Sequence, residues 1–206
     1  MNGNKRGPIR ADLQIIADMI EPSTRLLDVG CGDGLLLDYL SDAKQVDGRG
    51  IELSTAGVNA CVCSGLSVIQ GDAGTDLKDY PNQAFDYVVL SQTLQAMESP
   101  KEVLSNMLRI GKYAIVSFPN FAYWRLRWQI LMRGRMPVSK RLDFEWYETP
   151  NIHLCSIKDF VVLCDSMGIT IELSIALDRV GNRRRGRSAM FLANLFGEQA
   201  VFLLSK

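Results

Sequence analysis

The sequence predicts an α/β protein built on a doubly wound, mostly parallel sheet with helices on both faces. Three observations predict it. Short apolar runs alternate with amphipathic stretches from residue 9 to about 118. A turn with glycine at alternate positions, Gly30-Cys31-Gly32-Asp33-Gly34, follows the first apolar run directly. The 206 residues are 47% hydrophobic and 22% charged, which suits one globular core and leaves no room for two.

Each element has its own signal. Leu13, Ile16, Ala17 and Ile20 recur at helical spacing, and Glu21-Pro22 ends that helix because a residue before proline is pushed out of the α region. Residues 25–29 read as a short buried strand, and Leu35 opens a second helix. Strand-like runs at 46–51, 67–70, 85–90 and 112–118 interleave with helical stretches at 55–64 and 100–109, the latter with Pro100 in its first turn. Tight links between such elements imply right-handed βαβ crossovers and a sheet covered on both faces. After Pro119 the pattern changes. Residues 120–133 are rich in aromatics and arginine, and 134–150 are irregular. An amphipathic helix at 157–167 ends at Gly168, and strands at 169–177 and 199–204 flank an arginine-rich stretch at 179–187. The expected organisation is one domain over residues 1–206 with an insertion at about 119–155.

Composition excludes several function classes. Lys+Arg and Asp+Glu both number 23, so the chain has no net charge to draw it to nucleic acid in general. The charge is unevenly spread: residues 1–118 hold 10 basic and 15 acidic side chains, residues 119–206 hold 13 and 8. No apolar run reaches the roughly 20 residues of a membrane span, and Met1 to Arg10 shows no secretory signal. Cys31, Cys61, Cys63, Cys155 and Cys164 fit no zinc spacing, so reduced thiols in a cytoplasmic protein are expected, with no metal.

The chemistry concentrates at the predicted strand ends, where open α/β sheets bind ligands. A dinucleotide fingerprint would need glycine where Leu35 stands, and Gly111-Lys112 is followed by Tyr113, which fails a phosphate-binding loop. Asp28, two positions before Gly30, repels a pyrophosphate and favours a cation. Glu52 lies 52 − 28 = 24 residues further on, at the end of the second strand, where it suits both hydroxyls of a ribose. Asp72 follows the third strand and can accept from an exocyclic amine; Ser91 and Gln92 follow the fourth. Such an edge fits a nucleoside bearing a cationic, amino-acid-like arm.

LLDVGCGDG, GIELS, QGDA and FDYVVLSQTLQ resemble motifs of the class I S-adenosylmethionine-dependent methyltransferases, over residues 24–118 and again in the C-terminal hairpin. That resemblance implies a Rossmann-like, mostly parallel seven-stranded sheet with a C-terminal antiparallel strand, and S-adenosylmethionine or S-adenosylhomocysteine as cofactor. It places Asp28 and Gly30, with Cys31 and Gly32, near the methionine amino group. Glu52 would hold the ribose, Leu53 would pack on adenine, Asp72 and Ala73 would read the adenine edge, and Ser91 and Gln92 would complete the site. A closer resemblance spans the chain: RADLQIIADMIEPSTRLLDVGCGDG, SFPNFAYWRLRWQILMRGRMPVS, WYETPNIHLCSIKDF and DRVGNRRRGRSAMFLANLFGEQAVFLL are similar to the methionine-biosynthesis protein W family. It implies homoserine O-acyltransferase as a partner. Members usually carry a second acidic residue after GDA, where this chain has Gly74.

Catalytic residues are harder to read. Gln92 and Gln95 cannot serve as bases, and no Asn-Pro-Pro-aromatic tetrapeptide is present. His153, the only histidine, is the candidate base, with an anchoring role as the alternative. Residues 121–142 hold no acidic side chain but six basic ones, interleaved with Tyr123, Trp124 and Trp128. Such a segment reads as a partner or lid surface, as core packing or, least of all, as a nucleic-acid contact. Two function classes follow: a cofactor-binding partner that activates the acyltransferase, and a methyltransferase of a small-molecule acceptor.

Overall fold

The computed structural model describes residues 9–137, 145–178, 183–185 and 190–206. Among these residues eight strands form one sheet: β1 (Arg25–Val29), β2 (Asp47–Glu52), β3 (Ser67–Gln70), β4 (Phe85–Ser91), β5 (Gly111–Pro119), β6 (Thr170–Leu177), β7 (Arg183–Arg185) and β8 (Gln199–Ser205). Their order is β3-β2-β1-β4-β5-β8-β6-β7. β1 to β5 are parallel, and β8 inserts antiparallel between β5 and β6. The seven expected strands are present. The eighth, β7, is a three-residue edge strand within the stretch read from sequence as a polar link.

The helices are α1 (Ala11–Met19), α2 (Leu35–Lys44), α3 (Thr55–Cys63), the single turn α4 (Ala73–Asp76), α5 (Pro100–Ile110), α6 (Trp124–Arg133), α7 (Ile157–Met167) and α8 (Met190–Phe196). Alternation along the strands divides the core. Leu27, Val29, Val88, Leu90 and Val116 face the layer of α5, α7 and α8. Leu26, Tyr87, Val89 and Ile115 face α1, α2 and Cys61 of α3. Helix ends follow local chemistry: Ser156 and Asp159 form a reciprocal capping box on α7, and Gly168 closes it at φ 65°.

The chain runs outward from β1 to β3 on one side, then crosses to β4 on the other. The strand order therefore reverses between β1 and β4, which opens a crevice at their carboxyl ends. In register, Asp28 lies beside Gly50 and Val89, and Glu52 beside Gln70. α6 stands apart from this plan. Only Leu126 of that helix is buried, packing with Tyr123 and Phe121 in a small satellite cluster. Among the described residues no helix is long and apolar enough to cross a membrane.

Candidate functional site

The glycine turn folds as it does because three of its residues take left-handed backbone angles: Gly30, Gly32 and Gly34 have φ of 71°, 58° and 77°. The turn is tied to β2. Gly30 N and Cys31 N both donate to Ile51 O, at 2.8 and 3.2 Å. Gly32 N donates to Glu52 Oε2 and Ser54 N to Glu52 Oε1, each at 2.9 Å. Partial burial pushes the Glu52 carboxyl up, but the bonds from Ser54 and Gly32 outweigh it and hold it below the usual carboxylate range.

Asp28 behaves in the opposite way. Its side chain is buried, 3% exposed, and among the described residues Oδ1 has no hydrogen-bond partner. Burial, reinforced by the negative charge of Glu52 and opposed by Arg10, pushes its carboxyl up to about 7. A pocket of about 150 Å³ opens beside it, lined by Arg10, Asp28, Gly30, Gly32, Ser91 and Gln92 among others. Cys31 also borders this pocket, and burial followed by the Asp28 charge pushes its thiol up, so it remains an inert wall. Gln92 adopts φ 61°, its N–H donates to Ser117 O at 2.9 Å, and Ser91 Oγ lies 3.2 Å from Ser117 Oγ. These bonds fix the β4 end against β5.

The structure thus brings Asp28, Gly30, Cys31, Gly32, Ser91 and Gln92 into one pocket, with Glu52 bonded to its floor. Leu53, Asp72 and Ala73 sit farther along the same edge and do not line that pocket. Leu53 is 68% exposed, a large apolar side chain left bare beside Glu52. Asp72 Oδ1 accepts from Gly74 N at 2.8 Å and caps α4, while Ala73 is buried beneath. The departure from the family pattern at Gly74 therefore lies within the Asp72 cap.

His153 lies elsewhere. It borders a separate cavity with Gln95 and Cys155. Its backbone N–H donates to Gln95 O at 2.9 Å, and Nε2 lies 3.3 Å from Glu98 O. The ring and backbone both pin residues 151–155 to the link between β4 and α5, as an anchor would. Arg10 is a charged residue of this pocket that the sequence did not single out. It precedes α1 without a motif, yet it borders the pocket and pairs with the buried Asp12 at 3.1 Å. Its only signal was a cation just before a helix.

The arrangement can hold a ligand with a charged amino-acid end. The ionised carboxylate of Asp28 matches an ammonium, and Arg10 matches a carboxylate. A Cβ on Gly32 would meet no atom of the described residues within 4 Å, so the turn leaves space on its open side. The residues present fit S-adenosylmethionine.

Comparison with known proteins places the chain. The family model described as "Methionine biosynthesis protein MetW" matches residues 10–204. A "Bifunctional methionine biosynthesis protein MetXA/MetW" from Rhodopirellula baltica is 35% identical over 179 residues, which is 82% of this chain and 29% of the relative. The chain thus spans less than a third of that relative's length. Two solved structures share the fold. One, a possible histamine N-methyltransferase from Thermotoga maritima, has TM-score 0.68 and 17% identity over 95% of this chain and 87% of that one. The other, an S-adenosylmethionine-dependent methyltransferase from Mesorhizobium loti, has TM-score 0.69 and 13% identity over 96% and 98%. Fold and sequence agree: this chain belongs to the methionine biosynthesis protein MetW family, built on the S-adenosylmethionine-dependent methyltransferase fold.

Proposed function

We propose that the chain binds S-adenosylmethionine or S-adenosylhomocysteine at the β1–β4 crevice and acts with, or activates, homoserine O-acyltransferase in the cytoplasm. The observation that carries the ligand assignment is the buried Asp28 carboxyl beside the glycine turn, whose Oδ1 has no hydrogen-bond partner among the described residues. Asp28 would bind the ammonium and Arg10 the carboxylate of the amino-acid arm. Glu52 would accept from the ribose while its remaining lone pairs hold the turn. Leu53 and Asp72 would meet the adenine. The cofactor supplies an activated methyl group when bound; what this chain contributes is orientation and charge.

Glu52→Ala tests the ribose contact. It removes the acceptors and frees Gly32 N and Ser54 N. Affinity for S-adenosylhomocysteine is expected to fall by about 5- to 150-fold, from the roughly 1–3 kcal/mol of unpaired buried polar groups. Calorimetry reads it, and unchanged affinity would place the ribose elsewhere.

The partner assignment is supported by the two activities joined in the name of the Rhodopirellula relative and by the surface of α6. Trp124 and Trp128 are 40% and 57% exposed, and Leu131 and Met132 are exposed more fully, so the two tryptophans are not core residues. Arg125 lies over the Trp124 ring at 5.3 Å, and Arg127 Nε donates to Ala122 O at 2.5 Å. Lys140 and Arg141, counted with this segment, lie outside the described residues, as do the side chains of the Arg183–Arg187 stretch. An Arg125→Glu, Arg127→Glu variant is expected to fold and bind S-adenosylhomocysteine as before, yet fail to co-purify with the acyltransferase, because reversed charges face the partner. Normal co-purification would place the contact off α6.

The second reading, methyl transfer to a small acceptor, is favoured by Ser91 and Gln92, which border the Asp28 pocket at the β4 end. Labelled S-adenosylmethionine, given to the chain alone and with the acyltransferase, separates the two. Label in a small-molecule product supports transfer; raised acyltransferase turnover without transferred label supports activation. For His153, the anchoring bonds predict that His153→Asn lowers Tm and leaves cofactor affinity intact. A fall of about 10²-fold or more in turnover, with Tm unchanged, would mark it as a base instead.

A further inference from the structure

Among the described residues two carboxylates are buried outright, Asp28 at 3% exposure and Asp12 at 0%. Asp28 lines the pocket beside the glycine turn, whereas Asp12 does not. It sits in the first turn of α1, next to Leu13, which does line that pocket.

Burying a carboxylate is costly unless it is paired and hydrogen-bonded. Asp12 is only half provided for. Its Oδ2 accepts from Arg10 Nη2 at 3.1 Å, while its Oδ1, also buried, has no hydrogen-bond partner among the described residues. The start of α1 supplies the favourable end of a helix dipole and offsets part of the cost. The one side chain that Asp12 bonds is Arg10, and Arg10 borders the pocket.

Arg10 therefore serves both buried acids. Its guanidinium is bonded to Asp12, and its charge opposes the upward push of burial on the Asp28 carboxyl. Its side chain is 51% exposed, so packing alone does not fix it. A free arginine has many rotamers, and ordering one on ligand binding weakens the complex. The bond to Asp12 orders it beforehand. A guanidinium carries several N–H donors in a rigid fork, so the Nη2 bond leaves others for a second carboxylate.

Asp28 and Glu52, when ionised, attract any ammonium-bearing arm and repel a carboxylate on it. A cation fixed at the same pocket reverses that second effect. We propose that Asp12 is a positioning residue: by holding Arg10 at the pocket it makes the site select nucleosides whose arm carries a carboxylate as well as an ammonium. The inference rests on the nucleoside reading of this pocket and adds to it which arm is accepted.

S-adenosylhomocysteine and its decarboxylated analogue, S-adenosyl-3-thiopropylamine, differ in that carboxylate alone. Calorimetry on the full chain is expected to show the first binding about 5- to 30-fold more tightly. Arg10→Gln, at a half-exposed position, is expected to abolish the preference by weakening S-adenosylhomocysteine. Asp12→Ala removes the acceptor, places a good helix former in α1, and is expected to fold and to lose most of the preference. Charge alone predicts the opposite sign, because losing the Asp12 negative charge favours a ligand carboxylate. In the Arg10→Gln background Asp12→Ala is expected to change neither affinity, since positioning has nothing left to act through. A merely structural Asp12 would lower both affinities together, with or without Arg10. Arg10→Lys tests the same idea without touching a buried residue: it keeps the cation, gives up the fork, and is expected to lose most of the preference. If the unsubstituted chain binds neither nucleoside, the reading of the pocket fails and this inference with it. If it binds both equally, or if the preference survives Asp12→Ala or Arg10→Lys, or if Asp12→Ala acts as strongly in the Arg10→Gln background, the pocket reading stands and the role of Asp12 is overturned.

Discussion

Asp28→Asn is expected to weaken S-adenosylhomocysteine binding by roughly 30- to 5,000-fold while making the free protein more stable at pH 8. The binding loss follows from removing one member of a buried, hydrogen-bonded charge pair, about 2–5 kcal/mol. The stability gain follows from burial. In the free protein the Asp28 carboxyl is pushed from 3.8 up to about 7, first by desolvation and then by Glu52. The folded state therefore holds this proton more tightly than the unfolded state does. Its contribution to stability is complete below about pH 4 and is lost as pH rises through about 7, a difference on the order of 4 kcal/mol. Asparagine cannot ionise, so it escapes that loss. Its own unpaired amide offsets part of the gain, leaving about 1–3 kcal/mol at pH 8. The unsubstituted protein should lose Tm between pH 5 and pH 8, and the variant should lose less. Binding has the opposite sign. An ammonium in the pocket requires ionised Asp28, so affinity should fall up to about tenfold per unit as pH drops below 7, with a proton released on binding at pH 6. Calorimetry in buffers of different ionisation enthalpy reads that proton. Unchanged affinity in Asp28→Asn, or a pH-independent affinity, would remove Asp28 from the ligand site.

Much of this was legible in the residues, and the rest was not for physical reasons. Alternating apolar runs report burial on two faces, so β1 to β5 and their order of use could be read directly. The glycines and Asp28 were legible because few side chains tolerate a left-handed turn, and because an acid beside one is costly without a cation. Arg10 was not legible. Its position over the strand ends depends on how α1 packs on β8 and α2, which no local pattern encodes. α8 was missed because its seven residues follow a glycine- and arginine-rich stretch and give barely two turns of periodicity. The tryptophans of α6 show the limit from the other side. Their spacing of four suits packing on a core and exposure to a partner equally, and only the backbone course of the helix decides. Likewise, His153 is a plausible base in sequence because nothing there reveals that Glu98 O and Gln95 O are its neighbours.

The glycines at positions 32 and 34 should fail in different ways, and the difference separates the fold from the ligand. At Gly34 a new Cβ would lie 2.4 Å from Leu66 Cδ1 and 2.8 Å from Cys61 Sγ, with φ at 77°. Gly34 also opens α2, since Asp38 N donates to Gly34 O at 2.9 Å. Gly34→Val therefore combines backbone strain of about 1–3 kcal/mol with overpacking of similar size. A total of about 2–6 kcal/mol is a large part of a typical domain's stability, and Tm should fall by roughly 5–20 °C. At Gly32 the φ of 58° is also left-handed, but a Cβ meets nothing within 4 Å among the described residues. Gly32→Ala should cost only the strain of the left-handed region, about 1–2 kcal/mol, and the chain should stay folded. The added methyl group instead occupies space that the turn leaves open to the pocket. Affinity for S-adenosylhomocysteine should fall by about tenfold or more, through steric exclusion of a ligand that approaches the bare backbone. Thermal unfolding and calorimetry on the two variants give a crossed result if the site is as described: a large Tm loss at position 34 and a binding loss in a folded protein at position 32. Full affinity in Gly32→Ala would mean that no ligand approaches the turn at that residue, whatever the fold resembles.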